Sequence, residues 1–331
     1  MIARYAIPFF FLMTLVVAPV VFALLCRWLV PRRHWKKAAL ACTIIIWCMV
    51  SYGYFAGFTN IQVHHVEYVS ADLPEAFDGY RIVQFSDAHV GSMAGSRQWV
   101  LQQAVDSINA QRGDVIVFTG DLENLHPDEL KPQMGILSQL KAKNGVYSVL
   151  GNHDYPTYLD INEEEKEQCI QLTKQYEQQM GWQLLVNSHQ VIRRDSDSIV
   201  IAGMENWGTL KRMPRRGDVR KTLEGLRLQS SSGTHRPFIV MLQHDPTAWR
   251  RKILPECHAQ LTLSGHTHGG QFSLLGWSPS AITYDTWGGW EQEGDRALYV
   301  STGVGALIPF RLNMPPEIVV ITLKSKKENS K

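Results

Sequence analysis

The chain of 331 residues carries 33 Lys and Arg against 31 Asp and Glu, a formal net charge of +2, and is 45% hydrophobic. That composition excludes a disordered or fibrous chain and allows a sizeable core. A charge so near zero, with no recognition motif, leaves out nucleic-acid sequence recognition, and the five cysteines do not make a disulfide scaffold.

The apolar residues are concentrated at the front. Between Arg4 and Arg27 runs "YAIPFFFLMTLVVAPVVFALLC", and from Ala38 to Phe58 "AALACTIIIWCMVSYGYFAGF", neither with a charge. Each is about the length that crosses a bilayer as a helix. Residues 1–60 are therefore predicted to be a membrane anchor, a hairpin of two transmembrane helices at about 5–26 and 38–58. A cleaved signal peptide is the rival for the first run, but its apolar region is usually shorter. A buried hairpin of a soluble protein is disfavoured because neither run has a polar face. Arg27, Arg32, Arg33, Lys36 and Lys37 lie in the link, and only Arg4 precedes the first run. The positive-inside rule then puts the link in the cytoplasm. In a bacterium this means an integral, multi-pass protein of the inner membrane whose catalytic part is extracytoplasmic. Cys26, Cys42 and Cys48 fall in the apolar runs, leaving Cys169 and Cys257 beyond them. A count cannot pair those two, and small buried hydrophobes is the simpler reading.

Residues 61–324 form the predicted soluble domain and 325–331 a polar tail. Strand and helix patterns alternate: "RIVQFSD" as strand, "SRQWVLQQAVDSINAQR" as helix, "DVIVFTGD" as strand, "PDELKPQMGILSQLKAK" as helix, "GVYSVLGNHD" as strand. This order predicts an α/β core with parallel crossovers. A polar helix follows from about Asn162 to Met180, then the strands "SIVIAGM", "FIVMLQHD", "QLTLSGH", "ALYVST" and "EIVVITL". With few helices between them, these predict a second sheet packed on the first.

What stands at the strand ends carries the functional argument. The strands run into "SDAHVG" with Asp87 and His89, "TGDLEN" with Asp121 and Asn124, and "LGNHD" with Asn152, His153 and Asp154. Later ones run into "LQHDP" with His244 and "SGHTHGG" with His266 and His268. In an α/β sheet such ends converge on one rim. Singly, these residues cap helices or start turns; together they make a metal site. Asp, Asn and His donors without thiolate suit manganese, iron or zinc. The donor supply exceeds one ion with an open position, so two divalent ions sharing a carboxylate are expected.

The blocks "SDAHVG", "GDLEN", "GNHD", "QHDP" and "SGHTHGGQ" resemble, in order, the motifs of the calcineurin-like metallophosphoesterase superfamily, over about residues 78–324. The closing stretch "STGVGALIPFRLNMPPEIVVITL" is similar to the membrane-associated bacterial phosphodiesterases of the YaeI/YkuE type. The resemblance implies a four-layer α/β/β/α sandwich behind the hairpin and hydrolysis of phosphoric ester or anhydride bonds by a hydroxide held between two metals. It assigns Asp87, His89 and His268 to one ion, Asn152, His244 and His266 to the other, and Asp121 to both. His153 would meet the phosphate or protonate the leaving oxygen, oriented by Asn124. Leu150 stands where phosphoprotein phosphatases carry an arginine, and Asn124 where they carry an aspartate. Without that guanidinium a phosphodiester or pyrophosphate is a more natural substrate than a dianionic monoester.

Within this class a narrower reading is a lipid-directed enzyme similar to the UDP-2,3-diacylglucosamine pyrophosphatases of lipid A synthesis; the predicted outward orientation argues against it. A reading from another class is a non-catalytic membrane-tethered binding protein on the same fold, which the complete ligand set disfavours. Three features stay open. The basic stretch "LKRMPRRGDVRK" meets anionic groups or is a solvated face. Trp277, Tyr284, Trp287 and Trp290 wall a pocket, pack in the core or touch a membrane. Arg311 reaches phosphate or pairs structurally.

Overall fold

A computed structural model describes residues 8–226 and 236–326. Arg4 and the tail beyond Lys326 lie outside the described residues. Two helices, α1 (Pro8–Leu29) and α2 (Trp35–Gly57), are long and apolar enough to cross a membrane. They pair as a hairpin, with Trp47 Nε1 donating to the Leu15 carbonyl at 3.1 Å. Most of their large apolar side chains, Leu24 and Ile45 among them, are exposed, so neither helix is enclosed as a core helix is.

The hairpin is welded to the following domain. Phe58, just past α2, is fully buried in the same cluster as Val90, Leu101 and Phe118. The Arg311 amide donates to the Gly53 carbonyl at 3.0 Å. Glycine is needed there, because a Cβ on Gly53 would lie 2.3 Å from the Phe310 ring, and one on Gly57 1.8 Å from the Arg311 carbonyl oxygen.

In chain order the strands are β1 (Gln62–Ser70), β2 (Arg81–Phe85), β3 (Val115–Phe118), β4 (Val146–Ser148), β5 (Gln183–Leu184), β6 (Ser188–Arg194), β7 (Asp197–Gly203), β8 (Phe238–Leu242), β9 (Leu261–Ser264), β10 (Gly289–Glu293), β11 (Arg296–Val300) and β12 (Glu317–Ser325). They form two six-stranded sheets, β1-β12-β2-β3-β4-β5 and β10-β11-β9-β8-β7-β6. The last strand therefore returns to the first sheet, antiparallel to β2, rather than extending the second as its place in the sequence suggests.

Alternation along each strand makes the layers. In β2 and β3, Ile82, Val115 and Val117 face the second sheet, meeting Ile201, Val240 and Leu263. Their neighbours Val83, Ile116 and Phe118 face outward onto Leu101, Val105 and Ile108 of α3 (Gln98–Ala110) and Tyr176 beside them on α4 (Glu163–Gln179). On the far side of the second sheet, Val200, Ile239 and Met241 are covered by Val219, Trp249 and Ile253 from short helical segments. The result is the expected four-layer α/β/β/α sandwich. Each fully buried aliphatic or aromatic side chain contributes about 1.5–3 kcal/mol of transfer free energy.

The helix α4 starts where its capping box dictates: the Asn162 side chain accepts from the Glu165 amide at 2.9 Å, and the Glu165 carboxylate accepts from the Asn162 amide at 3.1 Å. The predicted helix over 127–143 does not form as one piece. Only Pro127–Glu129 and Met134–Leu137 are helical, because Pro132 interrupts the pattern.

One consequence of strand direction matters for the site. The start of β1 pairs with the start of β12, which runs antiparallel to β2, so the hairpin joins the sandwich on the rim where β2, β3 and β4 end.

Candidate metal centre

Parallel strands deliver the candidate residues to that rim: β2, β3 and β4 in one sheet, β8 and β9 in the other. Three groups of ligand-type atoms, each within 4.8 Å of one another, form there: Asp87, His89 and His268; His89, Asp121 and His153; and Asp121, His244 and His266. Asp121 is thus common to two groups. Its Oδ2 lies 3.1 Å from His244 Nε2 and 3.7 Å from His89 Nε2. His268 Nε2 lies 3.4 Å from Asp87 Oδ1 and 3.2 Å from His89 Nε2, and His266 Nδ1 lies 3.2 Å from His244 Nε2. Asn152 has its Oδ1 buried without a hydrogen-bond partner, while its Nδ2 donates to the Tyr158 hydroxyl at 2.9 Å. An orphaned, buried carbonyl oxygen among imidazoles and carboxylates is what a hard or borderline cation would satisfy.

The backbone is strained at the same places. Asp87, His89, Asp121, His266 and His268 all have positive φ, between 42° and 77°. Non-glycine residues adopt this region sparingly, at a cost of order 1–3 kcal/mol each. The surroundings hold them there: the His266 amide donates to both Asp87 oxygens, at 3.1 and 3.0 Å. Buried Asp154 accepts from the amides of Gly151, Asp121, Leu122 and Glu123 at 2.8 to 3.2 Å. Asp154 is thus the keystone of the β3 and β4 loops and turns away from the ligand groups. Imidazole orientation is fixed likewise: His89 Nδ1 donates to the Glu123 carbonyl at 3.1 Å and His244 Nδ1 to the Thr119 carbonyl at 2.7 Å, leaving each Nε2 for the centre.

Burial and mutual charge set the protonation. Desolvation pushes His89 down to about 3, His266 to about 4 and His268 well below the usual range. Burial also raises Asp87 to about 6. Burial alone would raise Asp121 and lower His244, but their mutual attraction outweighs it, holding Asp121 well below the carboxylate range and lifting His244 to about 10.

His153 enters this set through one group only, with His89 and Asp121, and is half-buried. Its amide donates to Asp121 Oδ1 at 2.8 Å, and its ring packs against His89 at 4.9 Å and stacks on Tyr158 at 4.4 Å. Its Nδ1 donates to Asn124 at 2.6 Å, through the main-chain carbonyl. Asn124 thus meets the ring through its main chain, while its carboxamide accepts from the Ser92 amide and donates to its hydroxyl.

The remaining features sort themselves by contact. Arg311 is fully buried and donates to the carbonyls of Thr302, Gly303, Gly305, Met314 and Pro315, so it is a structural clamp rather than a phosphate ligand. Tyr284 reaches the centre, its hydroxyl 2.7 Å from His266 Nε2. Trp287 accepts through its carbonyl from Thr267, between His266 and His268, and Trp290 stacks on Tyr68. Of the basic stretch, Arg215 is tied to the Gly208 and Thr209 carbonyls and Arg216 to Glu167. Cys169 and Cys257 are both free thiols. Tyr158 and Asp245, the latter 3.7 Å from His266 Nε2, escape a reading of strand ends; the only sequence signal is that each follows a ligand motif within a few residues.

Comparison with known proteins agrees with this geometry. The calcineurin-like phosphoesterase family model matches residues 80–270. A transmembrane protein with metallophosphoesterase domain from Danio rerio is 31% identical over 287 residues, which cover 85% of this chain and 61% of that protein. The uncharacterized metallophosphoesterase YkuE of Bacillus subtilis (strain 168) is 31% identical over 289 residues, 83% of this chain and 90% of YkuE. Among solved structures, the phosphopantetheinyl hydrolase of Mycobacterium tuberculosis overlays at 13% identity with a TM-score of 0.43, covering 70% of this chain and 91% of that one. With its motifs on the matched strand ends, the chain belongs to the calcineurin-like phosphoesterase family.

Proposed function

We propose that the protein is a membrane-anchored phosphohydrolase that uses two divalent metal ions to cut phosphodiester or pyrophosphate bonds. The observation that carries this reading is the three overlapping groups of ligand-type atoms at one rim, linked through His89 and Asp121. Asp87, His89 and His268 would hold one ion, and Asn152, His244 and His266 the other, with Asp121 between them. Manganese, iron and zinc all suit the donors. When bound, such a pair supplies Lewis acidity at a phosphoryl oxygen and an activated water.

The chain's own groups do the rest. Nδ1 of His153 is committed to the Asn124 carbonyl, which leaves Nε2 to face substrate and, in the protonated ring, to give its proton to the departing oxygen. Tyr158 fixes both the His153 ring and the Asn152 side chain. Leu150 sits in an apolar cluster with Tyr155 and Ile170, and Arg311 is occupied by carbonyls, so neither offers a guanidinium to a second phosphate charge. That favours a singly charged diester over a dianionic monoester. The basic link between α1 and α2 supports a cytoplasmic turn, with the catalytic domain outside the cytoplasm at the inner membrane.

The test uses the full chain in detergent, purified without chelator and supplied with manganese, zinc or iron in turn. A chromogenic phosphodiester should be cleaved faster than its monoester counterpart. A preference for the monoester, or diester cleavage that persists undiminished in Asp121→Ala, would contradict the reading.

A further inference from the structure

We propose that the segment from Phe272 to Ile282 is a second membrane-contact element, seated in the interfacial layer of the bilayer on the side of the catalytic domain. The inference rests on the membrane-spanning reading of the hairpin and goes beyond it, because this segment lies in the sandwich, far along the chain from α1 and α2.

The segment is apolar and turned outward. Leu275 is 99% exposed, Ile282 79%, Leu274 51% and Trp277 51%. No charged residue occurs from Phe272 to Tyr284. Its tip is a tight turn closed by paired amide-to-carbonyl bonds between Leu274 and Trp277, at 2.9 and 3.0 Å. Both central residues have positive φ, Leu275 at 51° and Gly276 at 81°. Such a turn favours Asn-Gly or Gly-Gly. Here leucine occupies the position at a conformational cost and points away from all protein, an arrangement that water does not reward and lipid does. Leucine and tryptophan beside each other, without charge, suit the boundary between headgroups and acyl chains.

The segment is also fastened to the end of the hairpin. The Ser273 amide donates to the Leu312 carbonyl at 3.0 Å, and the Leu312 amide to the Gln271 carbonyl at 2.9 Å. The Gln271 side chain donates to the carbonyls of Ile308 and Phe310. Phe310 in turn lies 4.9 Å from the Phe10 ring of α1, and Arg311 is bonded to Gly53 of α2. The turn therefore stands on the rim where the hairpin enters the sandwich, continuous with the surface that lipid covers. The metal centre lies on that rim too, with His268 just before the segment and Tyr284 just after it.

The full chain would be reconstituted in phosphatidylethanolamine and phosphatidylglycerol vesicles with benzoylphenylalanine in place of Leu275, of Ile282, of Leu24 in α1, or of Gln171 on the exposed polar face of α4. After irradiation, lipid adducts are read by intact mass. Adducts are expected at Leu24, Leu275 and Ile282 and not at Gln171. Lipid adducts at Leu24 with positions 275 and 282 no higher than Gln171 would overturn the inference alone. Absence of adduct at Leu24 as well would overturn the spanning hairpin, and the inference with it.

Discussion

At one rim of the sandwich Asp87, His89, Asp121 and four further histidines gather at the ends of parallel strands; at the opposite rim Asp72, His258 and Asp295 gather in the same way. The side-chain types are alike, and in both places the ligand atoms lie within 4.8 Å of one another. What differs is how they are held. Asp87, His89, Asp121 and His244 are buried, five members of the set stand on left-handed backbone, and the His89 and His244 imidazoles are each aimed by a carbonyl behind them. None of the second set has positive φ, and His258 simply spans two partly exposed carboxylates at 3.1 and 3.7 Å. Ligand chemistry alone does not make a metal centre. Burial and preorganisation set the first group apart, its strained backbone held in place by the surrounding hydrogen bonds.

Four substitutions sharpen this contrast, from the largest expected effect to the smallest. Asp121→Ala removes the one group common to both ligand sets, so bound metal and turnover should both vanish; metal analysis beside a diester assay reads this directly. Exchange of His153 for Gln should lower turnover about 10²- to 10⁴-fold while bound metal stays at the level of the unsubstituted protein. Metal loss in that variant would make His153 a ligand instead.

A third change probes the buried acids behind the rim. Burial raises the Glu177 carboxyl on α4 to about 8, with the Ser148 hydroxyl bonded to it and Asp154 adding repulsion. Because the folded-state value lies above the unfolded one, near 4.5, its contribution to stability is full below pH 4.5 and is lost as pH rises towards 8. The slope within that window is about 1.4 kcal/mol per pH unit for one proton. Glu177→Gln keeps the Ser148 bond and removes the titration, so its melting temperature relative to the unsubstituted protein should rise from pH 5 to pH 8. A pH-independent difference would mean that Glu177 ionises normally in the fold. Last, Asp295→Ala at the opposite rim should change neither metal content nor turnover beyond assay scatter, since its contacts are solvated ion pairs.

Much of the site was legible in the sequence because strand ends in an α/β sheet share a rim, so Asp87, Asp121, Asn152, His244 and His266 could be brought together without knowing a single distance. The interior strands were legible for a related reason: buried on both faces, they read as continuous apolar runs. Edge strands were not. β1 and β6 carry His64, His65, Glu67, His189, Arg193 and Arg194 and look like loop until they are paired. Three further features depend on contacts across the chain. Nothing local in "TGDLEN" shows that the Asn124 carbonyl rather than its side chain meets His153. Nothing in "IPFRLN" shows that Arg311 is enclosed by carbonyls. The exposed leucine turn at Leu274 and Leu275 reads as a loop until its attachment to the hairpin is seen.

The central claim is a two-ion centre built from two ligand sets that share Asp121, and counting ions tests it most directly. Metal-to-protein ratios would be measured on the full chain and on His268→Ala, His266→Ala and Asp121→Ala, each purified without chelator. The account predicts about two ions per chain for the unsubstituted protein, about one for each histidine variant and less than one for Asp121→Ala. A single ion in the unsubstituted protein, or two retained after Asp121→Ala, would contradict it.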